Sequence, residues 1–159
     1  MKTRVLWVED SARLELRNLL GPVNINGEYD LCLAEDATSA MRHLQTAVYD
    51  AVILDMRIPP GVDEHWIRLY RERDEDKATA RLGLELAKWM FDGHSFPYSS
   101  PTWIKPYQVG VFTVENDFAL REHLKNLQIK VFEHKIASIP DNILIDLIER
   151  IKGQVPSTG

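Results

Sequence analysis

Short apolar runs alternate along the chain with segments whose apolar residues recur at helical spacing. The apolar runs predict five strands, over 4–8, 29–34, 49–54, 109–114 and 129–133. Continuous runs of this kind are typical of strands buried on both faces of a parallel sheet. The periodic segments predict helices over 11–20, 37–44, 83–91, 115–127 and about 138–151. Strands that alternate with helices indicate βαβ units with right-handed crossovers, and therefore an α/β domain.

The predicted helix ends depend on capping and breaking residues. Ser11 is expected to cap the first helix and Gly21-Pro22 to end it, which leaves 24–28 as a polar link rich in turns. The fourth helix is expected to bury Phe118. The last helix is expected to hold Pro140 in its first turn, where no backbone hydrogen bond is lost.

The alternation is interrupted after the third strand. Segment 62–82 is dense in charge of both signs, yet Trp66 and Tyr70 share one helical face, which predicts a solvated helix that frays near 74–77. Segment 92–108 contains three prolines and several aromatic residues and is expected to be an extended, ordered loop. We therefore predict a single domain over 1–153, with an insertion at about 62–82, followed by a flexible tail over 154–159.

Composition narrows the class of protein. The 159 residues include 24 acidic and 19 basic side chains, for a net charge of -5, which gives no support to nucleic-acid binding. The single cysteine, Cys32, has no internal disulfide partner, as is usual in a reducing cytosol. The first residues are too weakly apolar for a signal peptide, and no apolar run approaches membrane-spanning length. The expected location is the cytoplasm.

Polar residues follow four of the predicted strands at the point where each strand ends. They are Glu9 and Asp10 after the first, Asp55 after the third, Thr113 at the end of the fourth and Lys135 after the fifth. Because the carboxyl ends of parallel strands meet at one edge of a sheet, these side chains are expected to share a crevice. Three neighbouring carboxylates repel one another unless a cation lies between them, and oxygen ligands with retained water suit Mg²⁺.

The same crevice predicts phosphoryl transfer. Thr113 offers a hydroxyl and Lys135 an ammonium, the two kinds of group that hold phosphoryl oxygens. A carboxylate beside them can act as a nucleophile and form an aspartyl phosphate, so Asp55 is the candidate acceptor. The plainer alternative is that Asp55 only caps the turn that contains Pro59 and Pro60.

Two motifs carry a family resemblance. They are Val5-Leu6-Trp7-Val8-Glu9-Asp10 and Val52-Ile53-Leu54-Asp55-Met56-Arg57-Ile58-Pro59, together with Thr113 and Lys135. With these residues the sequence resembles the CheY-like receiver domains of response regulators in bacterial two-component signalling. The resemblance spans the chain except 62–82 and much of 92–108. It implies a flavodoxin-like, doubly wound parallel sheet of five strands in the order 2-1-3-4-5, with an inserted segment after strand three.

The resemblance also implies roles for individual residues. Glu9, Asp10, Asp55 and the backbone carbonyl of Arg57 would ligate Mg²⁺. Asp55 would accept a phosphoryl group from a sensor histidine kinase or a histidine phosphotransfer protein, and Thr113 and Lys135 would bind that group. Phe132 matches the aromatic switch position on strand five. The chemistry would be autophosphorylation and autodephosphorylation of an acceptor rather than turnover by an enzyme.

The implied function is that of a stand-alone receiver that signals through protein–protein contacts. Its partners would be the phosphodonor protein, a downstream protein target and a second copy bound through the fourth helix, fifth strand and last helix. The alternative is an atypical, non-phosphorylated receiver that acts as a constitutive interaction module. Ile136, where the family usually has proline, and Val114, where it usually has a small residue, motivate that alternative. Arg57 is a further departure, and it is expected either to bridge to Glu9 or to alter the lifetime of the phosphoryl group.

Other classes of site fit less well. His65, His94 and His134 do not have the spacing of a zinc motif. A phosphohydrolase of the haloacid-dehalogenase type would need an aspartate where Arg57 stands. Neither a P-loop nor a G-x-G-x-x-G loop is present for nucleotide binding.

Overall fold

The computed structural model describes residues 1–72, 81–92 and 96–154. Its strands are β1 (Thr3–Val8), β2 (Tyr29–Ala34), β3 (Ala51–Leu54), β4 (Val109–Thr113) and β5 (Val131–His134). All pair in parallel in one sheet, in the order β2-β1-β3-β4-β5. The predicted topology is confirmed. The bounds of the second strand are as predicted, whereas the third begins at Ala51 rather than at residue 49.

Six α-helices surround the sheet within the described residues. They are α1 (Leu20–Asn26), α2 (Ala37–Thr46), α3 (Glu64–Glu72), α4 (Leu82–Phe91), α5 (Phe118–Asn126) and α6 (Ile143–Lys152). Helices α1 and α6 form one core with Val5 and Trp7 of β1, while α2, α4 and α5 form another with Leu6 and Val8. Because both faces of the sheet are covered, successive residues of the inner strands are buried, which explains their continuous apolar runs.

The first helix was predicted wrongly. Residues 11–16 form turns, and α1 begins only at Leu20, so that Gly21 and Pro22 lie in its first turn instead of ending it. The first backbone N–H groups of a helix have no partner within it, so proline loses no hydrogen bond at this position. The helix ends at Gly27, whose φ of 75° is left-handed and therefore favours glycine. Residues 24–26 of the predicted polar link over 24–28 therefore belong to this helix.

The last two helices begin later than predicted. Asp117 caps α5 by accepting a hydrogen bond from Leu120 N at 3.2 Å, so the helix starts at Phe118, whose side chain is 79% exposed rather than buried. Helix α6 starts at Ile143, and Pro140 therefore precedes the helix instead of lying in its first turn. Asp141 accepts a hydrogen bond from Asn18 Nδ2 at 3.0 Å and does not cap α6.

The inserted segment packs on the core through α3. Trp66 is fully buried and its Nε1 donates to Met41 Sδ at 3.3 Å, so this helix is less solvated than its charges suggest. Asp63 begins the helix by accepting from His65 N at 2.9 Å and also accepts from the Tyr98 hydroxyl at 2.5 Å. The loop after α4, which contains Tyr98, is therefore attached to the insertion as well as to the core.

Parts of three predictions lie outside the described residues: the fraying at 74–77, a short part of the 92–108 loop, and all but the first residue of the tail. Within the part of the chain that the structure describes, no helix is both long enough and apolar enough to cross a membrane.

Gly83 in α4 provides a test of how closely this helix approaches the sheet. A Cβ atom there would lie 1.9 Å from the backbone oxygen of Asp55 and 2.7 Å from Met56 Cα. Backbone atoms, unlike a flexible side chain, cannot rotate away from the added Cβ atom. We therefore expect Gly83→Ala to lower the free energy of unfolding by about 3 kcal/mol or more, which is the upper end of the range for substitutions that overpack a core. Urea denaturation measures this change.

Gly21→Ala is the matched control for Gly83→Ala. A Cβ atom at Gly21 would have no heavy atom within 4 Å, and the residue is helical. We expect this variant to be unchanged or up to about 1 kcal/mol more stable, as alanine is the better helix former. Equal effects of the two substitutions would contradict the close packing of α4.

Candidate functional site

The backbone fixes the predicted site residues at one edge of the sheet. Glu9 N donates to Ala34 O at 2.9 Å, Asp55 N to Val8 O at 3.0 Å and Lys135 N to Thr113 O at 2.8 Å. Each of these bonds extends the parallel pairing of the strands by one residue. The polar residues that follow β1, β3 and β5 are therefore held above the carboxyl ends of the strands, where ligands bind in open α/β sheets.

Three carboxylates meet at this edge. Oxygen atoms of Glu9, Asp10 and Asp55 all lie within 4.8 Å of one another. Glu9 and Asp55 are buried, whereas Asp10 is exposed and leaves the cluster open to solvent. Among the described residues this is the one group of three or more possible metal ligands, and neither His65 nor His134 belongs to it; His94 lies outside those residues. Oxygen ligands with one open side suit a hard divalent cation.

Lys135 supplies the positive charge of the cluster. Its Nζ donates to Asp55 Oδ2 at 2.9 Å and to Glu9 Oε2, and its side chain is only 8% exposed. Lys135 thus reaches both buried acids although Ile136 follows it. One ammonium does not balance three carboxylates, so the site retains negative charge that a divalent cation would neutralise.

The pKa values of Glu9 and Lys135 reflect this excess of negative charge. Burial first, and then repulsion by Asp55, raise the pKa of Glu9 from 4.5 to about 8, although Lys135 opposes the shift. For Lys135, burial alone would lower the pKa, but attraction to Asp55 and Glu9 outweighs burial and leaves it above the ordinary value. The charged form of Glu9 is therefore costly in the absence of a further cation.

Thr113 is the last residue of β4, so it lies at the carboxyl end of the strand next to β3, and it is connected to the loop that follows. Its side chain is fully buried, and its Oγ1 accepts a hydrogen bond from Glu115 N at 3.3 Å. A hydroxyl that accepts this bond still has its own hydrogen to donate. Val114 and Ile136, the two departures next to Thr113 and Lys135, are exposed by 56% and 59%.

Arg57 does not make the predicted bridge to Glu9. Its Nε donates to Glu115 Oε1, while its backbone N–H donates to Asp55 Oδ1 at 3.4 Å. Glu9 is instead paired with Lys135, while the Arg57 side chain is paired with Glu115. The role predicted for the Arg57 carbonyl stays a prediction.

Comparison with solved structures identifies the fold. A response-regulator receiver domain from Methanospirillum hungatei JF-1 has a TM-score of 0.60 at 14% identity, with 95% of this chain and 94% of that chain covered. The non-phosphorylated HemR receiver domain from Leptospira biflexa has a TM-score of 0.63 at 17% identity, with 99% and 100% covered. The chemotaxis protein CheY4 of Vibrio cholerae has a TM-score of 0.59 at 17% identity, with 95% and 99% covered.

This chain has the receiver-domain fold. The predicted flavodoxin-like architecture is thereby confirmed, and at these identities the likeness concerns the fold. No protein-family model matches the sequence, and no curated protein matches it. The roles of individual residues are consequently argued below from the geometry of this chain.

Phe132, the predicted switch residue of this receiver fold, lies on β5 and is partly buried against the core of α2, α4 and α5. The guanidinium carbon of Arg121 lies 4.0 Å from the centre of its ring, a cation–π contact. The surface between α5 and β5 also carries Lys125 and Lys130 and is basic, in contrast to the acidic chain as a whole.

Sequence reasoning missed the second group of charges at this edge. Glu115 binds both Arg57 and Arg81, and Arg81 also binds Asp117. The helical spacing predicts Glu115 as the first residue of a helix, whereas the structure places it in the loop before α5. Asp117 is a residue type that commonly caps helices, and a helix that begins after Asp117 leaves Glu115 in the preceding loop, close to Thr113 in sequence.

The raised pKa of Glu9 predicts a pH dependence of stability in metal-free buffer. Between about pH 4.5 and 8 the folded protein holds a proton on Glu9 that the unfolded chain releases. The free energy of unfolding should therefore fall as the pH rises through this window, and Glu9→Gln should flatten the profile. Urea denaturation at successive pH values, with a chelator present, measures both slopes.

Glu35→Gln is the control for this profile, since the side chain of Glu35 is 44% exposed and pairs with Arg13 at 3.0 Å. It should retain the slope of the unsubstituted protein. A Glu9→Gln profile as steep as that of the control would show that Glu9 does not titrate as described.

Proposed function

We propose that this chain is a phosphoacceptor receiver in which Asp55 takes a phosphoryl group from a phosphohistidine on a partner protein. The observation that carries the proposal is the contact of the buried Asp55 with Lys135 Nζ, within a cluster of three carboxylates. An acceptor carboxylate, a cation site and an ammonium are thus adjacent at the edge where this fold binds ligands. The receiver fold itself supports a response-regulator role.

The carboxylates Glu9, Asp10 and Asp55 would hold Mg²⁺, and the excess negative charge beside Lys135 supports that assignment. Mg²⁺ with retained water also suits a site that must admit phosphoryl oxygens. When bound, the ion would neutralise charge on the acids and on the incoming phosphoryl group. The backbone carbonyl of Arg57 is the further ligand that we propose.

The residues of the chain divide the remaining chemistry between them. An Asp55 carboxylate oxygen forms a bond to phosphorus, while the bond from phosphorus to the donor histidine nitrogen breaks. The Lys135 ammonium and the Thr113 hydroxyl would each donate a hydrogen bond to a phosphoryl oxygen. Both donors are buried, and a hydrogen bond to a charged group is worth more there than in water.

Phosphorylation would be read by a protein partner. The new group adds about -1.5 to -2 charges at an edge that is already acidic. We propose that Thr113 and Lys135 respond to it, that Phe132 repacks, and that the surface of α5, β5 and α6 thereby changes its affinity for a downstream protein or a second copy. The phosphodonor would be a sensor histidine kinase or a histidine phosphotransfer protein in the cytoplasm.

Labelling with a small phosphodonor tests the acceptor. With Mg²⁺ and acetyl phosphate, the intact protein should gain the mass of one phosphoryl group, and Asp55→Asn should abolish the gain, because an amide does not form the acyl phosphate. Asp30→Asn, at an exposed aspartate of β2, is the matched control and should label normally. A gain of mass that survives Asp55→Asn would refute the proposal, and a folded protein that never labels would favour the constitutive interaction module.

Binding of Mg²⁺ can be measured separately from labelling. An ion that binds only the folded protein stabilises it by about 2.7 kcal/mol at a concentration 100 times its Kd. We expect Mg²⁺ to raise the unfolding temperature, and Asp10→Asn, which removes the exposed ligand, to abolish most of the rise. The Asp30→Asn variant should respond to Mg²⁺ as the unsubstituted protein does. An undiminished response in Asp10→Asn would place the ion elsewhere.

A further inference from the structure

A group of opposite charges lies beside the acceptor and spans two loops. Glu115 receives the Arg57 Nε at one carboxylate oxygen and Arg81 Nη2, at 3.4 Å, at the other. Arg81 also donates to both carboxylate oxygens of Asp117, through Nη1 at 3.3 Å and through Nη2. We refer to Arg57, Arg81 and Glu115 as the arginine clamp.

The centre of the clamp is shielded from water. The side chains of Arg81 and Glu115 are 17% and 11% exposed, in contrast to 68% for Arg13 in the surface pair with Glu35. Surface pairs contribute little to stability, whereas removal of one partner from a shielded pair leaves the other charge desolvated. The hydrogen bond from Arg81 is also the largest contribution to the lowered pKa of Asp117. The clamp is therefore a firm connection.

Glu115 transmits this connection to Thr113. While its carboxylate is held by two guanidinium groups, its backbone N–H donates to Thr113 Oγ1 at 3.3 Å. That bond occupies a lone pair of the hydroxyl and so restricts the directions in which its hydrogen can point. A shift of the Glu115 backbone would release the hydroxyl.

Arg81 is itself fixed relative to the acceptor. Two residues later, Gly83 N donates to Met56 O at 2.9 Å, and there is no room for a Cβ atom between Gly83 and the backbone of Asp55. The start of α4 therefore keeps a constant distance from the acceptor loop. The clamp joins that rigid start to the loop that carries Glu115.

We propose that Arg81 is a positioning residue, which holds Glu115 so that the Thr113 hydroxyl is directed as a donor towards the phosphoryl group on Asp55. The chemical part of this inference rests on the proposed function. Arg81 makes no hydrogen bond or ion pair with Asp55 or Thr113 in the described structure, so its proposed effect on Thr113 passes through Glu115. The end of the inserted segment is in this way coupled to the phosphorylation site.

Phosphorylation rates in a double-mutant cycle test the coupling. With acetyl phosphate and Mg²⁺, Arg81→Gln should slow labelling of Asp55 by about 3- to 10-fold, as expected for partial loss of one hydrogen bond to a charged group. In a Thr113→Val background the same substitution should have no further effect, because the hydroxyl that it positions is gone. Arg81→Lys should restore part of the rate, and Arg13→Gln, which breaks the surface pair, should leave the rate unchanged.

Glu115→Gln is a second route to the same result. It keeps the backbone N–H but weakens both ion pairs, so it should slow labelling in the same direction as Arg81→Gln. Thermal unfolding of each variant identifies any that fail to fold. An equal loss of rate with and without the Thr113 hydroxyl, or unchanged labelling in both folded clamp variants, would overturn the proposal.

Amide hydrogen exchange in the unphosphorylated protein separates this inference from the proposed function. Arg81→Gln should speed exchange at Glu115 N, which the clamp holds against Thr113, while Arg13→Gln should not. Unchanged exchange would show that Arg81 does not hold the loop. If the unsubstituted protein is never labelled, the proposed function fails, and the exchange rate alone decides whether Arg81 positions Thr113.

Discussion

Parallel strand pairing in this protein continues one residue beyond the strands, and the candidate site depends on that extension. Backbone hydrogen bonds of 2.8 to 3.0 Å join Glu9 to β2, Asp55 to β1 and Lys135 to β4. The positions of these residues are set by the sheet and not by attraction among their side chains. Mutually repelling carboxylates can therefore be held together, since the buried cores on both faces of the sheet offset the repulsion.

The same constraint explains why the site is electrostatically unbalanced. Lys135 binds both buried acids, yet Glu9 still has its pKa raised to about 8. A sequence selected only for stability would not bury two acids beside one ammonium, because removing charges from water costs several kcal/mol per ion. Destabilised charge at a ligand-binding edge is instead typical of functional sites. A divalent cation would neutralise this excess of negative charge, and the repulsion of an incoming phosphoryl group would then be smaller.

The sheet was more predictable from sequence than the helices, for a physical reason. Strands covered on both faces are apolar throughout, so runs such as 51–54 are recognisable in the sequence. The polar residues directly after these runs then indicate the position of the site. Helix ends are harder to predict, because the same residue types occur at both ends of helices. Gly21 and Pro22, for example, are compatible with a helix start as well as with a helix end. The arginine clamp could not be predicted from the sequence, because Glu115 is 58 positions from Arg57 and 34 from Arg81, and no repeating pattern connects such distant residues.

The inserted segment is anchored on both sides of the acceptor. Before α3, the carbonyl groups of Pro59 and Pro60 accept hydrogen bonds from Ala37 N and Thr38 N, the first residues of α2. After it, Arg81 is held by Glu115 and Asp117. Both anchors connect the described ends of the insertion to the receiver fold, one at the start of α2 and the other in the β4–α5 loop. Of these two anchors, the second leads through Glu115 to Thr113, which connects the end of the insertion to the candidate site.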